Sequence, residues 1–242
     1  MTAKEQQSEW YKSINPSGKV PALLVNDKEV DIIYFSIAKI VFLNEIFQMV
    51  VESLVINEYL CEAIMPTALP ADLLERANIR RWICYISDNI VPFLFMIVNQ
   101  KREGKDSEAE STLRKLQENW SLLVENSKLK KGSRFLFGEQ LSLADFAGTS
   151  FLQHQTIVLG HFFKGGLYEY EGNAPVQENL IHLKQYLKNI KDDTRWCSLT
   201  YNIQSLPPLE KAPKLVELGM DNLEKFDYEK LLIYVYSSDF KK

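Results

Sequence analysis

From Asp72 to Lys191 the apolar residues recur at helical spacing in one segment after another. That periodicity commits the larger part of the chain to an all-helical domain. Residues 72–103 read as one long helix with a bend at Pro92. Residues 106–126 read as a second helix, with Leu113, Leu116, Trp120 and Leu123 at helical spacing. Ser142-Leu143-Ala144-Asp145 opens a third helix, and residues 174–191 form a fourth. Ser142 and Asp145 have the spacing of a capping box, a Ser at the N-cap and an acid three residues on. A buried helix start needs its orphan N–H groups satisfied, so this pair is expected to serve folding rather than chemistry. After Thr200 come Pro207, Pro208 and Pro213, then a weaker helical stretch near 221–235.

The first quarter of the chain reads differently. Residues 3–14 make a short helix that stops at Asn15, because a following proline disfavours helical backbone. Ser17-Gly18-Lys19 is turn chemistry. Residues 20–25 read as a buried strand, with Pro21 at its first residue, where a missing N–H is tolerable. Asn26-Asp27 is a tight turn, and Lys28-Glu29-Val30 begins a returning strand. Residues 31–50 are dense in Ile and Phe but match neither clean alternation nor a clean helical face. Val51-Glu52-Ser53 then leads into an amphipathic helix through Leu60. Met65 to Asp72 carries Pro66 and Pro70, a linker composition. The fold class expected is α/β followed by all-α: residues 1–64, residues 72–200, and an extension over 201–242.

Charge and cysteine usage narrow the function classes. A net charge of −4 and a pI near 5.6 argue against nucleic acid as a main partner, since phosphate binding needs a basic face. Cys61, Cys84 and Cys197 are far apart and odd in number, without metal spacing, so no metal site or disulfide framework is expected. Cys61 and Cys84 fall in helices and read as inert core thiols. His154, His161 and His182 are scattered and support no catalytic triad. The polar start, MTAKEQQSEW, is no signal peptide, and no run reaches the ~20 apolar residues of a spanning helix. A cytoplasmic protein without a membrane partner is the expectation.

Two pieces of sequence carry a resemblance. The first is Asn15-Pro16-Ser17-Gly18-Lys19-Val20-Pro21-Ala22-Leu23, followed by Glu52-Ser53-Leu54-Val55-Ile56-Asn57-Glu58-Tyr59-Leu60. It resembles the second half of the thioredoxin-like domain of cytosolic glutathione transferases, with omega-like or bacterial-type branches nearest in look. The second is Leu141-Ser142-Leu143-Ala144-Asp145-Phe146, which resembles the capping motif of that family's helical domain. The resemblance implies a partial thioredoxin-like domain followed by the family's helical C-terminal domain. It implies glutathione as substrate, a small electrophile or disulfide as co-substrate, and a homodimer. Ser53 would take the γ-glutamyl carboxylate, and Glu52 the ammonium group. Val20-Pro21 would be the family's cis-proline turn, presenting Val20 backbone groups to the cysteinyl backbone of glutathione. Lys19 precedes Val20, within reach of the glycine carboxylate, although a solvated lysine is the commoner reading. Arg80, Arg81, Trp82 and Tyr85 lie on the helix that lines the family's electrophile pocket, where packing or a dimer face is the commoner role.

The chain departs from the family pattern twice. The family's first strand, which carries the catalytic Ser, Cys or Tyr, has no counterpart before Trp10, so no catalytic residue is assigned. Val30 joined directly to Val51 would satisfy the pattern, so residues 31–50 stand as an insert. Its Ile, Phe, Lys, Asn and Tyr content suits an intron read through in frame, and a true insertion is the alternative. The functional expectation is glutathione conjugation or glutathione-dependent thiol transfer. The alternatives are a non-catalytic dimerisation or scaffold module and a defective gene product.

Overall fold

The computed structural model describes residues 9–18, 22–25, 30–33 and 48–193. They fall into two compact units that divide between Pro66 and Thr67. The first unit holds helix α1 (Glu9–Ile14), strands β1 (Ala22–Val25), β2 (Val30–Ile33) and β3 (Gln48–Val51), and helix α2 (Ser53–Ile64). Helix α1 stops one residue before Asn15, whose N–H still reaches the Tyr11 carbonyl at 2.7 Å. The Asn15 Oδ1 then accepts from the Ser17 N–H (3.2 Å) and the Ser17 hydroxyl (2.7 Å), a side-chain turn that redirects the chain. Gly18 follows at φ 61°, a conformation that costs glycine little.

β1 is the centre of a three-stranded antiparallel sheet ordered β2-β1-β3. Ala22 lies opposite both Ile33 and Val51, and Val25 opposite both Val30 and Gln48. The returning strand expected at residues 28–30 begins at Val30 and runs on to Ile33, inside the stretch read as an insert. The Asn26-Asp27 turn and residues 34–47 lie outside the described residues. β3 delivers the chain to α2, which packs on β1 and β3.

The second unit contains five long helices among the described residues. They are α3 (Leu73–Asn89), α4 (Val91–Arg102), α5 (Asp106–Asn126), α6 (Leu143–Phe162) and α7 (Ala174–Lys191). The single helix expected over 72–103 is in fact two, separated at Ile90 (φ −120°). Pro92 is the cause: it cannot donate, and its ring collides with the carbonyl four residues earlier, so the helix restarts with Pro92 in its first turn. Helix α5 packs against α4 and α7, and α3 against α4 and α6. Ile86, Ile97, Leu116, Leu123, Leu152 and Leu183 are among the side chains with almost no exposure in the core between them. Part of the stretch Leu73–Arg102 is long and apolar enough to cross a membrane by length and composition alone. Ile79, Trp82, Ile83, Ile86, Leu94, Ile97 and Val98 are nevertheless buried within the helical unit.

The core is not purely apolar. The Trp120 indole N–H donates to Gln155 Oε1 at 2.7 Å, and Gln155 Nε2 donates to the Ile90 carbonyl at 3.1 Å. That pair satisfies a carbonyl at the helix break from a helix 65 residues away. Gln117 Nε2 likewise donates to the carbonyls of Leu167 (3.0 Å) and Glu169 (2.9 Å), fixing the loop before α7. The segment after residue 193, including the helical stretch expected near 221–235, lies outside the described residues.

Candidate functional site

The start of α2 is the candidate binding site. Its first residue is Ser53, and the first intrahelical bond runs from the Ile56 N–H to the Glu52 carbonyl at 2.9 Å. The N–H groups of Ser53, Leu54 and Val55 therefore have no acceptor within the helix. The Glu52 side chain does not cap this end, and the first turn holds no acidic residue. N–H donors that the helix leaves unused and the positive end of the helix dipole together suit an anion, with the Ser53 hydroxyl beside them. Both Glu52 and Ser53 are exposed.

Glu52 itself is held at φ 71°, ψ 121°. Among the described residues no other non-glycine residue has positive φ. Such a backbone costs about 1–3 kcal/mol and persists where its surroundings impose it. Here the imposing feature is the abrupt passage from β3 at Val51 to α2 at Ser53, with a single residue between. The remaining three residues expected at the site, Lys19, Val20 and Pro21, lie outside the described residues, and with them the cis peptide.

Ser142 and Asp145 occupy a different place, at the start of α6, in a capping-box arrangement. Asp145 is fully buried and its carboxylate accepts four bonds. Oδ2 takes the Ser142 N–H at 2.7 Å and the Ser142 hydroxyl at 2.6 Å. Oδ1 takes the Leu136 N–H at 3.1 Å and the Tyr186 hydroxyl at 2.8 Å. With its proton committed to Asp145, Tyr186 accepts from Thr149 Oγ1 at 2.8 Å. Burial pushes the Asp145 carboxyl above its usual range while the four donors pull it back, and burial likewise raises the Tyr186 phenol. The Ser142 hydroxyl thus spends itself on the Asp145 carboxylate. Sequence reasoning missed Tyr186 and Thr149; the only local signal was a tyrosine on the apolar face of α7, where a buried hydroxyl needs a partner.

The other nucleophile candidates separate on burial. Cys61 is buried in α2, and desolvation, helped by Glu58 and Glu62, pushes its thiol up to about 11. It is a thiol at neutral pH and a poor nucleophile. Cys84, read as a core thiol, is exposed, because α3 buries Ile79, Trp82, Ile83 and Ile86 and turns Cys84 outward. Trp82 is core, with the Arg81 guanidinium 4.4 Å from its ring centre and Tyr85 edge-on at 5.1 Å. Among the described residues no three His, Cys, Asp or Glu side chains gather as a metal ion would need.

The comparisons with known proteins bear on both units. The family model described as "Glutathione S-transferase, C-terminal domain" matches residues 86–191, from α3 to the end of α7. A curated relative, glutathione S-transferase U13 of Arabidopsis thaliana, is 26% identical over 212 residues, which cover 83% of this chain and 82% of that protein. Residues 86–191 thus match the helical C-terminal domain of glutathione transferases. Solved structures of that family share the fold of this chain. A glutathione transferase family member from Pseudomonas fluorescens, crystallised with two glutathione bound, aligns with TM-score 0.57 at 17% identity, covering 80% of this chain and 75% of that one. The Tau class glutathione S-transferase of mango aligns with TM-score 0.54 at 22% identity, covering 90% and 83%. The Asp145 centre lies inside the matched helical domain, and the α2 start lies outside it.

Proposed function

We propose that this chain is a glutathione-dependent transferase that holds the γ-glutamyl end of glutathione at Glu52 and Ser53. The uncapped start of α2 carries the reading. A carboxylate there would accept from the Ser53 hydroxyl and the open N–H groups, and Glu52 supplies an exposed carboxylate for the neighbouring ammonium. The Val20 backbone would pair with the cysteinyl residue, and Lys19 would stand near the glycine carboxylate. The reaction is conjugation to a small electrophile, or thiol transfer with a disulfide, in the cytoplasm and from a homodimer.

No residue of the 242 is assigned to activate the glutathione sulfur. A positioned donor of that kind is typically worth ~10²–10³-fold in rate. The 242-residue polypeptide is therefore expected to bind glutathione and to turn over little. Titration calorimetry with glutathione, paired with assays on a general electrophile and a mixed disulfide, tests both halves. Ser53→Ala should weaken binding about tenfold, the loss of one hydrogen bond to a charged group. Absence of glutathione binding by the unaltered chain would overturn the proposal. Robust turnover would place the sulfur-activating group among residues set aside above.

A further inference from the structure

The segment read as surplus, residues 31–50, supplies strand residues to both edges of β1. β2 follows β1 after four residues, 26–29, and is its hairpin partner; β3 is the strand that delivers Glu52 and Ser53 to α2. Both pair antiparallel with β1 and meet the same four residues, so β2 and β3 run parallel to each other on opposite sides. Parallel strands of one sheet cannot be joined by a tight turn; the chain must return along the sheet, which takes a dozen or more residues. Fourteen residues, 34–47, stand between the end of β2 and the start of β3. The segment thus has the length that this arrangement demands.

We propose that residues 31–50 are a sheet-completing unit of the native protein, in which β2 closes the edge of β1 opposite β3. If Val30 ran directly into Val51, a single strand would have to serve as hairpin return and also lead into α2. Among the described residues nothing else would then pair with one edge of β1, leaving its N–H and C=O groups open to association. The inference rests on strand pairing alone and is independent of glutathione binding. It favours a true insertion over an intron read through in frame.

The test compares the full chain with a variant in which Val30 is joined to Val51. Two full-length variants, Ile32→Pro and Ile33→Pro, accompany it. Successive N–H groups of a strand point to opposite edges, and proline is tolerated only where the N–H points away from a partner. One of the two prolines must therefore break a β1–β2 bond, while the other falls on the outer edge. Amide exchange of residues 22–25 and sedimentation velocity are the readouts. The deletion is expected to lower protection at least about tenfold at the β1 amides facing β2, and to make the protein associate with rising concentration. One proline variant should reproduce the loss and the other should not. Unchanged β1 protection and unchanged association state in the deletion variant would overturn the proposal. If the deletion variant does not fold, two silent proline variants would overturn it equally.

Discussion

In the proposed function, Glu52 joins backbone cost to glutathione binding in a single residue. Its φ of 71° suits glycine, so Glu52→Gly should raise unfolding free energy by about 1 kcal/mol while glutathione affinity falls. Glu52→Ala should lose affinity without that gain, and urea titration with calorimetry separates the two. The cysteines give a second prediction at this scale. At about pH 7.5 an alkylating reagent should label the exposed Cys84 readily and Cys61, buried and with its thiol pushed up to about 11, hardly at all, as peptide mapping would show. His154 gives a third. Burial lowers its pKa below the ordinary 6.5, so as pH falls through that value the unfolded chain takes up the proton first. Its contribution is present above 6.5 and is lost as pH falls from there toward the folded value. Denaturation at a series of pH values should show this slope, flattened in His154→Gln. Ser53 was legible in the sequence because a strand followed at once by an amphipathic helix fixes where the helix begins. Cys84 was not, since its burial depends on the rotation of α3 about its axis, which only packing sets.

Among the elements, the start of α6 is the one whose loss is most measurable. Ser142→Ala removes a hydroxyl bonded to a buried carboxylate and should cost about 1–3 kcal/mol. Asp145→Asn should cost more, about 3 kcal/mol or above, because an amide nitrogen cannot accept from the donors that now meet there. Chemical denaturation of the three proteins checks the order; equal stabilities would remove Asp145 from its central place. Helices α5 and α7 were readable to the residue, since their apolar positions, first-turn acids in α5 and Pro175 in α7 all agree. The α3–α4 boundary was readable as a bend but not as a break. Proline announces a disturbance, whereas Ile90 becomes the break point because Gln155 is there to satisfy its carbonyl. β2 was legible where it begins, at Val30, but its continuation to Ile33 was hidden for another reason. Asp31 interrupts an apolar run too short to show its period, and only the pairing with β1 identifies it.

At the scale of the whole molecule, the two units close in different ways. The sheet pairs β1 with a hairpin neighbour and with β3, whose widest pair is Ala22 with Val51, while the helical unit is tied by bonds between still more distant segments. Asp145 takes a donor from Tyr186, 41 residues further on, and Asn179 Nδ2 reaches back 58 residues to Ser121. The Asp145 centre has a consequence for how the protein is made. A ribosome adding ~5–20 residues per second needs about 2–8 s to travel from Asp145 to Tyr186. Throughout that interval the nascent carboxylate can gather at most three of its four donors, and burying it then would leave it short of the one that Tyr186 supplies. Chains stalled with Tyr186 still in the exit tunnel should be cut by protease near Ser142, and chains stalled well past Lys191 should resist. Synthesis of the helical domain is therefore nearly over before its interior can shut.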